Sequence, residues 1–167
     1  MHGKLENITY GVITVSDSRF NSIISGKETK DESGNFLRSQ LNAKYYSIIP
    51  DNKDILKGLL DHLIEFTDVD CIVITGGTGL SPRDNTPDIL EKIFQKKLPG
   101  FEVVFHNLSY EKVGYKTILS RATAGIYGNK IIYALPGSLN ACKTAVGIIK
   151  KETGHILKHI LEGRDDK

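Results

Sequence analysis

Residues 73–88 read Val-Ile-Thr-Gly-Gly-Thr-Gly-Leu-Ser-Pro-Arg-Asp-Asn-Thr-Pro-Asp, so an apolar run ends in three glycines within four positions. Hydroxyls, one arginine and two carboxylates follow directly. Glycine takes positive φ and lets a backbone come close to a ligand. A strand that enters such a loop, with a helix behind it, leaves backbone N–H groups free where an anion can rest. Carboxylates beside an anion need a cation between them. A divalent metal that bridges carboxylate to phosphate supplies one, and Mg²⁺ takes one or two carboxylates, some waters and substrate phosphates.

Asp51 and Asp84 are the candidate pair for this role. Taken singly, each has a plainer reading: Asp51 as a turn residue after Pro50, and Asp84 as a partner of Arg83 or a cap of the next helix. Asp88 reads as an acid in the first turn of a helix. Two familiar phosphate loops are excluded. A Walker A loop needs a Lys before its Ser or Thr, and here Gly79 is followed by Leu80 and Ser81. A dinucleotide fingerprint needs a third glycine where this chain has Pro82. A glycine-rich tight turn without a ligand stays open, but turn chemistry alone does not account for Arg83 and Asp84.

The elements that must position these residues alternate. Residues 8–16 are β-branched and read as a first strand ending in Ser16-Asp17-Ser18, with a loop over 20–29. Residues 31–42 read as a helix, 45–49 as a short strand closed by Pro50-Asp51, and 54–67 as an amphipathic helix. Residues 71–75 form a continuous apolar run of the kind buried on both faces of a parallel sheet. Thr86-Pro87-Asp88 predicts a helix start capped by Thr86, with the helix continuing to about Lys96. Phe101 to Phe105 has strand propensity inside a segment, 99–113, that also fits a helix. Residues 115–127 read as a helix and a glycine-bounded turn, 130–135 as a buried strand, and 140–151 and 155–161 as two helices split at Thr153-Gly154. This alternation predicts a single α/β domain over 1–167, a three-layer α/β/α sandwich with a mostly parallel central sheet.

In such a sheet, ligands bind beyond the carboxyl ends of the strands. Those ends carry Ser16 and Asp17, then Asp51, then residues 76–84, then Pro136-Gly137-Ser138. All are small, hydroxylic or acidic, and their coincidence points to one shared site. Ser16 and Asp17 could contact a ligand or simply cap a turn. The five histidines, His2, His62, His106, His155 and His159, lie in or near helical patterns, away from these ends. No Ser-His-Asp system is visible. A site without a general base suits a nucleophile that is already charged, such as a phosphate attacking a nucleotide phosphate.

Composition bounds the reading. Apolar residues make up 40 % and charged residues 25 % of 167, as in globular chains, and a net charge of +2 with scattered lysines gives no nucleic-acid footprint. The tail 150–167 alternates sign and reads as a solvated helix face. The two cysteines, Cys71 and Cys142, have no metal-ligand spacing and read as small buried apolar residues. Residues 1–6 lack a signal-peptide core, and no run approaches the ~18 apolar residues of a membrane span, which points to the cytoplasm and away from membranes.

Together, Thr75-Gly76-Gly77-Thr78-Gly79, Ser81-Pro82-Arg83-Asp84, Thr86-Pro87-Asp88 and Pro136-Gly137-Ser138 resemble the MoaB/MogA family of molybdenum-cofactor biosynthesis proteins. Val15-Ser16-Asp17-Ser18, Ile49-Pro50-Asp51, Leu98-Pro99-Gly100-Phe101 and Leu119-Ser120-Arg121-Ala122 match the family's pattern in order and spacing. The resemblance runs from about Ile8 to Leu161 and favours the MoaB-type branch. It implies adenylylation of molybdopterin by Mg-ATP with release of pyrophosphate, the product passing to a molybdate-insertion enzyme. It places the essential aspartates, and Mg²⁺, at Asp51 and Asp84. It assigns Ser16, Asp17, Gly76, Gly77, Thr78, Gly79, Ser81, Pro136, Gly137 and Ser138 to the ligand pocket. It makes the region after Pro99 helical, against its strand propensity, and implies a homotrimer or a hexamer of two trimers. Two other readings stay open: a non-catalytic molybdopterin-binding scaffold, and a pyrophosphatase acting on a nucleotide conjugate.

Overall fold

β-branched runs too apolar to face water on either side must sit inside a sheet covered on both faces. The computed structural model, which describes residues 5–163, shows this arrangement. In chain order the elements are β1 (Tyr10–Val15), α1 (Asp17–Ile24), α2 (Glu32–Leu41), β2 (Tyr45–Ile49), α3 (Lys53–Phe66), β3 (Cys71–Thr75), α4 (Thr86–Ile93), β4 (Lys96–Lys97), α5 (Pro99–Val113), a 3-10 turn (Gly114–Leu119), β5 (Thr123–Tyr127), β6 (Lys130–Leu135) and α6 (Leu139–Glu162). The sheet order is β2-β1-β3-β6-β5-β4. β2, β1, β3 and β6 run parallel, and the β5–β6 and β4–β5 pairings are antiparallel.

Side chains alternate between two cores with the period of two that strands impose. Tyr10, Val12, Cys71, Val73, Ile131 and Tyr133 meet α2, α5 and α6 on one face. Ile13, Val15, Ile72, Ile74 and Ile132 meet Leu56, Leu60 and Leu63 of α3 and Leu90 of α4 on the other. Cys71 and Cys142 are free thiols within the interior, and burial pushes both up from the ordinary thiol range. Among the described residues, no helix is long and apolar enough to cross a membrane.

Four local expectations are corrected. Residues 20–29 are not all loop: Ser16 caps α1, accepting a hydrogen bond from the Arg19 N–H at 3.3 Å. α1 buries no residue, so it has no apolar stripe to read. α4 is preceded by Asn85 rather than capped by Thr86, and it ends at Ile93, before β4. Residues 115–127 are not a helix and turn but the 3-10 turn followed by β5, where the Phe94 ring covers Gly125 in place of a side chain. α6 is one helix through Thr153 and Gly154. The Thr153 hydroxyl pairs with the Tyr133 hydroxyl at 3.0 Å, and a β-carbon at Gly154 would lie 2.5 Å from the Leu5 carbonyl oxygen. α5 is helical, as the resemblance implied. The solvated face of the tail is seen on α6, while Arg164, Asp165 and Asp166, like residues 1–4 with His2, lie outside the described residues.

A buried carboxylate ties the first two strands to α2. Asp31, 3 % exposed, caps α2 through the Gly34 N–H at 3.1 Å and accepts from the Thr14 hydroxyl at 2.6 Å and from the Tyr46 hydroxyl. Removing it strands these donors. Asp31→Ala is expected to lower the unfolding free energy by at least about 2 kcal/mol in urea titrations, with Asp31→Asn losing less because its amide oxygen still accepts.

Candidate functional site

The four parallel strands end on one edge, and the chain leaves β3 there under tight steric control. The Gly76 N–H bonds to the Leu135 carbonyl at 2.9 Å. Gly76 has φ +103°, and a β-carbon there would lie 2.2 Å from the Val15 carbonyl oxygen. Gly77 has φ +69°, and a β-carbon there would lie 2.3 Å from Thr86 Oγ1 and 3.0 Å from Asp51 Oδ2. No residue but glycine fits either position. The neighbouring loop after β6 is fixed by the Thr75 hydroxyl, which donates to the Pro136 carbonyl at 3.0 Å, and by the Ser33 hydroxyl, which donates to the Gly137 carbonyl at 2.8 Å.

Between these loops lies a cleft of about 460 Å³, lined by Gly76, Gly77, Thr78, Gly79, Asp84, Pro136, Gly137 and Ser138. Lys116, Leu119 and Ser120 from the 3-10 turn form its far wall. A second cleft of about 470 Å³ shares Lys116, Ser120, Pro136 and Ser138 with it and adds Lys112, Thr117 and the start of α6. The two therefore make one continuous, hydroxyl-rich depression with lysines on its rim. Ser16, Asp17, Asp51 and Ser81 do not line either cleft. They stand on the flank of the glycine loop.

Asp51 and Asp84 both reach that loop. Asp51 Oδ2 faces Gly77, and Asp84 Oδ2 lies 2.7 Å from where a Gly79 β-carbon would be. The pair is close enough to interact electrostatically. Burial first, then the Asp84 and Asp17 charges, raise the Asp51 carboxyl above its ordinary range, against the Asn85 N–H and the Arg83 charge. Asp84 neither pairs with Arg83 nor caps α4; its Oδ2 accepts from the Ser81 N–H at 3.0 Å. Arg83 reaches Asp17 instead, Nε to Oδ2 at 2.7 Å, and this bond is the main reason the Asp17 carboxyl is lowered. Asp17 Oδ1 also accepts from the Asp51 N–H at 2.9 Å, joining the β1 and β2 ends.

Sequence reasoning gave Arg121 no role at the site beyond its place in the Leu119-Ser120-Arg121-Ala122 match. Its Nε and Nη2 donate to the Gly79 carbonyl at 3.1 and 2.9 Å, and Nη2 donates to the Asp84 carbonyl at 2.7 Å. Its Nη1 reaches both Asp88 carboxylate oxygens at 2.9 Å. One guanidinium thus holds both ends of the loop that carries Asp84. Its partners lie far away in the chain, so spacing gives no signal. Lys116 and Thr86 were also missed. Thr86 is fully buried, and its hydroxyl has no hydrogen-bond partner among the described residues.

Comparison with known proteins gives this arrangement its context. Residues 11–155 match the family described as a probable molybdopterin binding domain. The chain belongs to the MoaB/MogA family of molybdopterin-binding proteins. A family relative from Methanocaldococcus jannaschii, named probable molybdopterin adenylyltransferase, is 60 % identical over 163 residues, covering 98 % of this chain and all of that protein. The crystal structure of the tungsten cofactor synthesizing protein MoaB from Pyrococcus furiosus superposes with a TM-score of 0.79 at 41 % identity, over 93 % of this chain and 98 % of that one. A structure of molybdenum cofactor biosynthesis protein B gives 0.84 at 28 % identity, over 96 % and 99 %. The three-layer α/β/α fold with its mostly parallel sheet is that of the MoaB/MogA structures.

The raised Asp51 carboxyl makes a linkage prediction. Between the unfolded and folded pKa values the folded chain binds more protons than the unfolded chain, so stability falls as pH rises through that window. Ionised Asp51 is therefore a cost at pH 7. Asp51→Asn is expected to raise the midpoint of thermal unfolding at pH 7, and the gain should shrink as pH falls toward the ordinary carboxylate value of 3.8. A lower midpoint at pH 7 would show that the carboxylate stabilises the fold.

Proposed function

We propose that this chain is a molybdopterin adenylyltransferase of molybdenum-cofactor biosynthesis, acting as one domain with ATP and molybdopterin as its substrates. The observation that carries the reading is the convergence of Asp51 and Asp84 on the glycine loop at the mouth of the 460 Å³ cleft. The identity of 60 % with a relative of that name supports it over the whole length.

The donor set fits Mg²⁺ arriving with the nucleotide. Among the described residues, no three or more His, Cys, Asp or Glu side chains gather around a common centre. Two hard carboxylate oxygens that repel one another are what a Mg²⁺ already carrying waters and phosphate oxygens requires. Asp51 and Asp84 would hold it. When bound, the ion supplies neutralisation of the charge that builds on the departing pyrophosphate.

The chain's own residues do the rest. The loop of residues 77–79 offers backbone N–H groups to phosphate oxygens, with the Thr78 and Ser81 hydroxyls beside them. Ser16 and Asp17 stand outside the cleft on the β1 flank of the loop, where Asp17 braces Asp51 and Arg83, and Pro136, Gly137 and Ser138 close the β6 side. Lys116 attracts the anionic substrates into the cleft. Arg121 keeps Gly79 and Asp84 in register, so that the molybdopterin phosphate meets the α-phosphorus in line. The attacking phosphate is already anionic, and no side chain has to remove a proton from it. The adenylylated product then goes to a molybdate-insertion enzyme.

Asp84→Asn is expected to fold normally and to lower adenylylation on the order of a hundredfold or more at saturating Mg²⁺, since metal charge stabilisation is worth several kcal/mol. The measurement is pyrophosphate release and labelled product formation from α-labelled ATP with molybdopterin. Near-parental turnover would remove the metal role. Molybdopterin binding by the parent chain without pyrophosphate release would make it a scaffold instead.

We further propose a homotrimer, or a hexamer of two trimers. α5 leaves Val103 60 % exposed, and the 3-10 turn leaves Tyr115 79 % and Ile118 76 % exposed, an apolar surface that the described residues of the single chain leave uncovered. Light scattering is expected to give a multiple of three chains, and Val103→Glu with Ile118→Glu should lower the mass. A parent chain that is monomeric at micromolar concentration would overturn this.

A further inference from the structure

The C-terminal half of α6 carries a group that the proposed reaction does not use. Glu152, His155 and His159 occupy successive turns of one helix face. From Leu139, at the edge of the cleft, to His155 the helix rises about 24 Å, so this face is remote from the glycine loop. The two imidazoles do not stack. Their centroids are 4.9 Å apart and inclined at 49°, while their Nε2 atoms approach to 3.2 Å. The rings converge at their tips.

Two Nε2 atoms 3.2 Å apart cannot meet lone pair to lone pair, so something must lie between them. Either one ring carries a proton there, or both rings hold a cation. Glu152 Oε2 stands 3.6 Å from His155 Nδ1, favouring the proton on Nδ1 and leaving a lone pair at Nε2. A carboxylate behind the non-ligating nitrogen is the arrangement that orients metal-binding histidines. Two metal–nitrogen bonds of about 2.0–2.1 Å place the nitrogens about 2.9 Å apart at a right angle and about 3.4 Å apart at the tetrahedral angle. The observed 3.2 Å lies between these values.

We propose that His155 and His159 form a two-point chelate for a borderline divalent transition-metal ion of the Ni²⁺ and Zn²⁺ class, with Glu152 as the positioning residue. Imidazole nitrogens select such ions over Mg²⁺ and Ca²⁺, which prefer oxygen. Water completes the coordination, since His155 is 41 % exposed. The site is independent of the carboxylate pair at the cleft in both place and ion preference.

The test uses the full chain without an affinity tag, titrated with NiCl₂ alone and then in excess Mg²⁺ by calorimetry. One saturable site is expected, unaffected by Mg²⁺. His155→Gln and His159→Gln should each weaken it at least about tenfold, and Glu152→Gln by about tenfold. His62→Gln should leave it unchanged. With Zn²⁺, the Nε2 resonances of His155 and His159 should move together in ¹⁵N spectra of the imidazoles. Adenylylation by the His155→Gln variant should equal that of the parent, which separates failure here from failure of the active-site reading. Absence of saturable binding up to millimolar Ni²⁺, or unchanged binding by the His155→Gln/His159→Gln double variant, would overturn the proposal.

Discussion

The carbonyl oxygen of Val15 occupies the place a β-carbon of Gly76 would need, 2.2 Å from it. Strand β1 therefore presses directly on the turn out of β3, and the chain at Gly76 and Gly77 is forced into positive φ. A backbone bent this way cannot continue the sheet ladder, so the chain leaves the line of β3 at the strand's end. The same bend carries Gly77 beneath Asp51 and against Thr86, with the Thr86 N–H donating back to the Gly77 carbonyl at 3.1 Å. The cradle, the start of α4 and the carboxylate after β2 are thus set by one contact between backbones. A parallel sheet makes that contact available because neighbouring strands end in step. β1 pairs with β3 in register up to Thr14 and Thr75.

What Gly76 and Gly77 do at the base of the loop, Arg121 does at its rim. Residues 80–84 are largely exposed, and Leu80 is 65 % exposed, so packing cannot hold them. Hydrogen bonds must. Carbonyls of Thr78, Gly79 and Asp84 all accept from Arg121, from its N–H or from its guanidinium. The planar guanidinium suits this because its donors are pre-set in direction, and a lysine would supply charge without the fork. Asp88, read from the sequence as a helix acid, turns out to orient that fork with both oxygens.

The parts of this structure that are legible in the sequence are those where one local force decides. Residues 71–75 and 130–135 are buried on both faces and read as strands because nothing but an interior strand tolerates so continuous an apolar run. The stripe of Leu56, Leu60 and Leu63 reads as a helix for the same kind of reason. The loop carrying Gly76, Gly77, Asp84 and the turn carrying Asp51 read as chemistry because strand ends in a parallel sheet converge. Legibility fails where tertiary partners override local preference. Gly154 looks like a helix break, yet it sits inside α6 because the Leu5 carbonyl needs its space. β5 looks like the end of a helix, since Gly125 is completed by the ring of Phe94 from another segment. α1 lacks any buried face to announce it. Arg121 is invisible as a hub because every one of its partners is distant in the chain.

Asp51, Asp84 and Asp17 gather around one loop, and Arg83, whose charge reaches Asp51, is engaged by Asp17. A fold selected only for stability would not leave Asp51 half-buried beside a second acid with its carboxyl raised. The exposed Arg83–Asp17 pair does little to offset this, since water screens ion pairs at the surface. On the proposed reading, the charge left over finds its counterpart in a cation from outside the chain. A cation that comes with a phosphate ligand relieves the repulsion only while the ligand is bound, so part of the binding energy is set aside by folding itself. The same reasoning explains why Arg121 is committed wholly to carbonyls and Asp88 rather than to the acids of the cleft. An arginine neutralising Asp84 would stabilise the free protein and remove the electrostatic demand that the site makes of its substrate.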